Sequence, residues 1–256
     1  MIPRMTDILS WTRLSGPFLI GHRGHPGVAR ENTPEAFEAA LEAGCDGVEF
    51  DVRMTRDGVL VVHHDDRAEG PAGPIAVEGS LWADLAGMRF PSPQGPYRIH
   101  TLAETLEVLR GRCLLNLEMK PPGRVRHAAA AEQLVAGLEA LRPHESVLVS
   151  SFDADLLAAL HRRDSGLLLG FLFASMEPFN HLEESEVAES LQAIHPRRDL
   201  VDRKLMRRAE EAGLMVCAWT ADDPAETSRL AKLGVTAVIT NRPDAVADAL
   251  YEGMEP

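Results

Sequence analysis

The chain has 256 residues, of which 45% are hydrophobic and 25% are charged, a length and composition that suit a large α/β domain with a sizeable buried core. Its formal net charge of −13 would repel DNA or RNA, because proteins that bind nucleic acids normally cluster Lys and Arg on one face. We therefore expect no nucleic-acid partner, whereas a small anionic substrate is compatible with this charge, since a site responds to its local field and to any bound metal.

The N-terminal segment, residues 1–24, contains an acid at Asp7 and no long apolar core, so it does not match a secretory signal. No run of the sequence reaches the roughly 18 apolar residues of a membrane span. These observations predict a cytoplasmic location without stable membrane insertion. Cys45, Cys113 and Cys217 lie far apart in or beside apolar runs and lack C-x-x-C spacing, which indicates core residues rather than a zinc or redox site.

Short apolar runs alternate with longer segments of helical period along the chain. Strands are predicted at residues 17–21, 46–51, 113–118, 147–151, 167–171, 190–194, 214–219 and 236–240. Helices are predicted at residues 34–43, 102–110, 126–141, 153–162, 199–212, 224–233 and 243–251, the first of them capped by Thr33 and opened by Pro34. Eight β units with helices between them predict an α/β fold, a (β/α)8 TIM barrel, rather than a shorter doubly wound sheet.

One stretch departs from this alternation. Asp57-Gly58 precedes the apolar run 59–62 and predicts a hairpin after the second strand. Residues from about 65 to 100 then carry many Gly and Pro with little period, which predicts a small, irregular inserted region over one mouth of the barrel. Because we see no linker that would divide the chain, we expect a single domain over residues 1–256.

Acidic residues follow two of the predicted strands at their carboxyl ends, where barrel enzymes carry their reacting groups. Glu49 and Asp51 are two residues apart and therefore point to the same face of their strand, and Glu118 ends the next barrel strand. Such carboxylates are hard oxygen ligands, which suit Mg²⁺, Ca²⁺ or Mn²⁺ better than zinc. Two acidic residues at this spacing, taken alone, are more often exposed side chains on a half-solvated strand. The basic residues at matching strand ends favour a divalent-cation site instead.

Those basic residues are two histidines and two cations. His22 and His64 are the candidate general acid and base, because imidazole titrates near neutral pH, and which of them has which role stays open. Strand alternation sets His63 and His64 on opposite faces, so only one of them can face the site. Arg23 and Lys120 can bind a phosphate, although each is equally compatible with a salt bridge to Glu49 or Glu118. Trp219 can line an apolar wall for a glycerol backbone or simply close the core.

Taken together, a series of short motifs resembles the glycerophosphodiester phosphodiesterase family over nearly the whole chain. The motifs are G-H-R-G at 21–24, E-N-T-P-E-A-F at 31–37, G-V-E-F-D-V at 47–52, T-R-D-G at 55–58, V-V-H-H-D-D at 61–66, L-N-L-E-M-K at 115–120, S-S-F-D at 150–153, A-W-T at 218–220 and G-V-T-A-V-I-T-N-R-P at 234–243. Each motif is weak alone, but their order and spacing are specific.

The resemblance implies a (β/α)8 barrel with a small insertion after the second strand. It also implies hydrolysis of a glycerophosphodiester, a small-molecule substrate, to sn-glycerol 3-phosphate and an alcohol with one divalent cation. The implied roles are acid/base catalysis by His22 and His64, metal binding by Glu49, Asp51 and Glu118, phosphate contacts by Arg23 and Lys120, and a glycerol or leaving-group contact by Trp219.

The chain departs from the family pattern at three places. The family's D-R-T-T after the second histidine is replaced by R-A-E-G at 67–70, its W-T-V-N appears as W-T-A-D at 219–222, and its T-D-x-P appears as T-N-R-P at 240–243. We expect none of the changed positions to touch the proposed catalytic set, and because of these changes the resemblance does not imply a leaving-group preference.

Three other functions use the same residues. The adjacent glycerol hydroxyl can replace water as the nucleophile and give a cyclic phosphate. A lysophospholipase D-like activity would need an apolar groove near the mouth, of which the short insertion gives little sign. A binding protein without turnover would be expected to have lost part of the catalytic set, which is intact here. The oligomeric state cannot be predicted from these residues.

Overall fold

The computed structural model describes residues 10–12, 16–139, 144–182 and 185–251. Its strands are β1 Phe18–His22, β2 Gly47–Met54, β3 Leu60–Val62, β4 Arg67–Gly70, β5 Gly73–Ala76, β6 His100–Thr101, β7 Leu114–Met119, β8 Val147–Ser151, β9 Leu168–Phe173, β10 Ala193–Pro196, β11 Met215–Ala218 and β12 Ala237–Thr240. Its α-helices are α1 Pro34–Glu42, α2 Trp82–Leu85, α3 Leu102–Leu109, α4 His127–Leu138, α5 Ala154–Arg163, α6 Met176–Asn180, α7 Arg203–Glu211, α8 Pro224–Leu233 and α9 Pro243–Tyr251.

Eight parallel strands close into a barrel. The hydrogen-bonded order is β1-β12-β11-β10-β9-β8-β7-β2, and pairing of β1 with β2 completes the ring. Helices connect the strands on the outside, so the predicted (β/α)8 TIM barrel is confirmed. Each predicted barrel strand overlaps an observed one. Within the described ranges, no helix has both the length and the apolarity that a membrane span requires.

The helices differ from the predictions mainly at their ends. The predicted cap is present, since the Thr33 side chain accepts a hydrogen bond from the N–H of Ala36 and Pro34 occupies the first turn of α1. The helix predicted to begin at residue 199 begins at Arg203, after a separate 3₁₀ turn. α4 ends at Leu138, and residues 140 and 141 of its predicted range lie outside the described residues. α6 was not predicted, because five residues are too few to show a helical period.

The region from 65 to 100 is more regular than we predicted. β4 and β5 form an antiparallel hairpin, α2 follows, and β6 pairs with β3 of the predicted hairpin. These elements enclose an apolar cluster of their own, formed by Val61, Ala68, Val77, Leu85, Phe90 and Ile99. The insertion after the second strand is therefore confirmed. The prediction that it is irregular was wrong, because elements of two to four residues are too short to show a hydrophobic period in the sequence.

The interior of the barrel changes from apolar to polar along its axis. Its lower layers are apolar and include Phe18, Ile20, Leu114, Leu148 and Cys217, with Trp11 packed edge-on against Phe18. Two residues further along β1, β7 and β8, the inward positions become His22, Asn116 and Ser150. The three cysteines are buried free thiols, as predicted. The polar upper layer sets the position of the candidate site.

Candidate active site

A cavity of about 350 Å³ opens at the carboxyl end of the barrel strands. Every predicted site residue except Asp51 lines it, which brings together His22, Arg23, Glu49, His64, Glu118, Lys120 and Trp219. Asp51 is fully buried immediately behind this wall. Strand register accounts for the convergence, because Glu49 pairs with His22 of β1 on one side and Asp51 pairs with Glu118 of β7 on the other.

The three acids form a compact, buried cluster. Glu49, Asp51 and Glu118 each present a carboxylate oxygen within 4.8 Å of the other two. Burial raises the pKa of Glu49 well above its ordinary value, and the charges of Asp51 and Glu118 raise it further. Burial and Asp51 likewise raise the pKa of Glu118. The cluster therefore contains more negative charge than its surroundings neutralise.

Two cations compensate part of this charge. The Lys120 ammonium lies 2.8 Å from Oδ1 of Asp51 and also contacts Glu118. The Arg23 guanidinium lies 3.2 Å from Oδ2 of Asp51, and its backbone N–H donates to Glu49 at 2.9 Å. Burial alone would raise the pKa of Asp51, but Lys120 and Arg23 hold that pKa well below its ordinary value. The predicted salt bridge to Glu118 is thus present for Lys120, whereas the Arg23 guanidinium bridges Asp51 and Glu31 instead, and both cations line the cavity.

The acid cluster could bind a metal ion. Its ligands are oxygen atoms only, and Oε1 of Glu49 is buried without a hydrogen-bond partner among the described residues. Three carboxylates face two cations, which leaves a negative surplus that a divalent cation would neutralise. The donor set fits the hard cations that the sequence predicts.

His22 lies between the acid cluster and a loop. Its Nε2 is 3.9 Å from Oε2 of Glu49, and its Nδ1 is 2.6 Å from Oδ1 of Asn241. Burial lowers the pKa of His22, and the charge of Arg23 lowers it further. The ring is therefore held mainly in its neutral form at neutral pH.

Of the two adjacent histidines, His64 reaches the cavity and His63 does not. Nδ1 of His64 is 2.8 Å from Oδ1 of Asp65, and its side chain is 33% exposed. His63 is buried, with its Nε2 3.4 Å from the carbonyl oxygen of Arg67. Strand alternation therefore separated the two residues in the predicted way.

An apolar wall stands opposite the acid cluster. Trp219 and Phe152 meet edge to face with ring centroids 5.6 Å apart, and Leu172 lies beside them in the cavity wall. The Trp219 indole N–H donates to the carbonyl oxygen of His195 at 2.7 Å, which fixes the plane of the ring. Trp219 thus both lines the cavity and contacts the core below it.

Several polar residues at the site were not singled out from the sequence. The Asn32 amide N–H donates to Asp51 at 2.8 Å, and its carbonyl oxygen accepts from the Asp51 N–H at 3.1 Å. Asn241 contacts His22, and Asp222 contacts Asn241. We expected none of the changed positions to touch the proposed catalytic set. This expectation was wrong for Asn241, which contacts His22, whereas Asp222 reaches His22 only through Asn241. The signal was available, since both residues lie within family motifs at strand ends.

Comparison with known proteins agrees with the observed fold. The chain is 30% identical over 244 residues to a glycerophosphodiester phosphodiesterase of Caldanaerobacter subterraneus subsp. tengcongensis, covering 92% of this chain and 98% of the relative. A solved phosphodiesterase of Oleispira antarctica, in complex with the product sn-glycerol 3-phosphate, superposes with a TM-score of 0.79 at 26% identity over 91% of this chain and 96% of that one. A glycerophosphodiester phosphodiesterase of Thermotoga maritima gives a TM-score of 0.72 at 26% identity over 90% and 97%.

The comparison with protein families gives a match over most of the chain. The profile of the glycerophosphoryl diester phosphodiesterase family matches residues 22–245, which extend from the first site histidine into helix α9. The match includes every residue that lines the cavity. The chain therefore belongs to the glycerophosphoryl diester phosphodiesterase family.

Proposed function

We propose that this protein catalyses the metal-dependent hydrolysis of glycerophosphodiesters to sn-glycerol 3-phosphate and an alcohol. The observation that carries the proposal is the convergence of two histidines, three carboxylates and two cations in one cavity of about 350 Å³. The family relationship supports the substrate class, and the glycerol 3-phosphate bound to the Oleispira antarctica relative supports the product.

The charged residues bind the phosphodiester. Glu49, Asp51 and Glu118 would hold one divalent cation, Mg²⁺ or Ca²⁺, with Mn²⁺ also suited to the oxygen ligands. When bound, the cation supplies positive charge to the phosphate oxygens. Arg23 and Lys120 donate hydrogen bonds to the same oxygens and stabilise the charge that develops on them.

The two histidines move the protons. One imidazole removes a proton from water as the water oxygen attacks phosphorus. The phosphorus bond to the alcohol oxygen breaks, and the other imidazolium donates a proton to that oxygen. The water oxygen and one of its hydrogens end on sn-glycerol 3-phosphate, and its other hydrogen goes to the first imidazole. The alcohol receives its hydrogen from the second imidazolium, and proton exchange with solvent returns both histidines to their starting forms. Trp219, Phe152 and Leu172 form the apolar wall that would pack against the carbon chain of the substrate.

Release of sn-glycerol 3-phosphate from glycerophosphocholine tests the proposal. We expect release with Mg²⁺, Ca²⁺ or Mn²⁺ and its loss in EDTA. His22→Ala and His64→Ala should each lower kcat by about 10²- to 10⁴-fold, because each removes a proton-transfer group. The exposed His181→Ala is the matched control and should retain full activity.

Near-normal rates in both cavity variants, with their folds intact by circular dichroism, would exclude the assigned roles. Absence of turnover by the unmodified protein with all three metals and several head groups would instead identify a binding protein. Detection of a cyclic phosphate by ³¹P NMR during turnover distinguishes the nucleophiles, since this intermediate forms only when the glycerol hydroxyl attacks first.

A further inference from the structure

A chain of hydrogen bonds connects His22 to an acid outside the acid cluster. Asn241 directly follows β12, and Asp222 lies in the connection between β11 and α8. The Asp222 carboxylate accepts from the Asn241 backbone N–H at 2.7 Å and from the Thr240 hydroxyl at 3.0 Å. It also accepts from Nδ2 of Asn241 at 2.9 Å. Asn241 is therefore held at both its backbone and its side chain.

These contacts determine which way the Asn241 amide points. An ionised carboxylate can only accept hydrogen bonds, so the amide must present its NH₂ group to Asp222. Its carbonyl oxygen then faces His22, 2.6 Å from Nδ1. Because an amide oxygen also only accepts, Nδ1 of His22 must carry the proton that it donates. In the neutral ring, Nε2 is left with a free lone pair on the side of the cavity and Glu49.

We infer that Asn241 and Asp222 are positioning residues that orient His22 as the proton acceptor of the reaction. The inference rests on the proposed hydrolysis and adds the assignment of the two histidines. His64 differs in its partner, since its Nδ1 faces the carboxylate of Asp65. With His22 assigned as the proton acceptor, His64 is left as the proton donor.

The two positioning residues are also two of the places where the chain departs from its family. The family motifs W-T-V-N and T-D-x-P have an amide at the first position and an acid at the second, whereas this chain has Asp222 and Asn241. The acid and the amide have exchanged places. In this chain the Asn241 amide lies between the Asp222 carboxylate and His22, so the formal negative charge does not contact the ring directly.

An exchange experiment tests this pairing. Asp222→Asn removes the acceptor that orients Asn241, and Asn241→Asp sets two carboxylates against each other. Each single variant should lower kcat on glycerophosphocholine by about 10- to 100-fold, the usual effect of removing an orienting partner, with little change in KM. The double variant Asp222→Asn/Asn241→Asp restores a donor opposite an acceptor and should recover most of the lost kcat.

The ring itself can be observed without turnover. ¹⁵N NMR of the His22 side chain should show a protonated Nδ1 in the unmodified protein and in the double variant, and a mixture of tautomers in Asp222→Asn. The exposed Asp248→Asn, the matched change of acid to amide, should alter neither kcat nor the spectrum. Thermal unfolding of each variant shows whether a lower kcat comes from a damaged fold.

Two results would overturn the inference. One is a double variant whose loss in kcat equals the product of the two single losses, because independent effects mean that the residues do not act as a pair. The other is an unprotonated Nδ1 in the unmodified protein. Neither result depends on the proposed hydrolysis failing, since inactivity of the unmodified protein on all glycerophosphodiesters is a separate observation.

Discussion

At the scale of single residues, His195 is a titratable group that the fold isolates from solvent. It lies on β10, fully buried, and its two ring nitrogens have no hydrogen-bond partner among the described residues. Gly170 makes room for the ring, because a Cβ at that position would lie 2.5 Å from Nε2. Burial lowers the pKa of His195 to about 3. The folded state therefore holds this histidine neutral.

This burial predicts a specific pH dependence of stability. Above the ordinary value of 6.5, both the folded and the unfolded states are neutral at this position and the stabilisation is complete. As the pH falls below that value, His195 binds a proton in the unfolded state but not in the folded state. The free energy of unfolding therefore decreases until the pH reaches about 3. Urea unfolding between about pH 7 and pH 5 should show the unmodified protein losing about 2 kcal/mol more than His195→Leu. Parallel losses in the two proteins would contradict this expectation.

At the scale of elements, the pairing of β2 with β7 sets two acids side by side. Asp51 and Glu118 are directly opposite in the register, and Lys120 of the same segment bridges them. Like charges opposite each other destabilise a strand pair, so the ammonium group stabilises this part of the barrel as well as lining the cavity. Removing it leaves buried carboxylates without their main partner.

Lys120→Met should therefore lower the free energy of unfolding in EDTA by about 3–5 kcal/mol, the range for breaking a buried ion pair. Added Mg²⁺ or Ca²⁺ should restore part of the loss, because a bound cation replaces the missing positive charge. Urea unfolding with and without metal measures both effects. Lys204 is exposed on α7, and Lys204→Met is the control. An equal effect of the two substitutions would show that Lys120 has no role in neutralising the cluster.

The strands also explain how far the site could be predicted from the sequence. Glu49, Asp51 and Glu118 were predictable because a strand alternates its faces with a period of two and parallel strands end at one edge. The pairing of Asn241 with His22 was not predictable, since it joins residues 219 apart in sequence and depends on the side-chain torsions of the last residue of β1 and of the residue after β12. The barrel was predictable from its long repeated pattern, whereas the insertion has elements of two to four residues that leave no pattern.

At the scale of the whole molecule, the net charge and the cavity have opposite effects on an anionic substrate. The formal net charge of −13 repels an anion at long range, while Arg23 and Lys120 attract its phosphate at short range. Salt shortens the reach of the long-range repulsion, since the Debye length falls from about 30 Å at 0.01 M to about 8 Å at 0.15 M. Substrate charge should therefore determine the salt dependence of capture.

We expect kcat/KM for glycerophosphoglycerol, which has a net negative charge, to rise severalfold as KCl is added at saturating metal. The zwitterion glycerophosphocholine has no net charge and should respond less. Steady-state rates for the two substrates across the same salt series provide the measurement, and the neutral substrate is the internal control. A fall in kcat/KM for glycerophosphoglycerol would mean that the local cations dominate at all distances.

The apolar lower layers of the barrel have a consequence for the order of events in a catalytic cycle. The amino end of the barrel is filled by Trp11, Phe18 and Ile20. The cavity is therefore closed at that end and opens at the carboxyl ends of the strands. Among the residues that the structure describes, this apolar layer closes the amino end, so substrate enters and both products leave at the carboxyl end. The product that lies deeper in the cavity leaves only after the product nearer the opening. The next substrate binds after both products have left. The position of the opening thus determines the order in which the products leave.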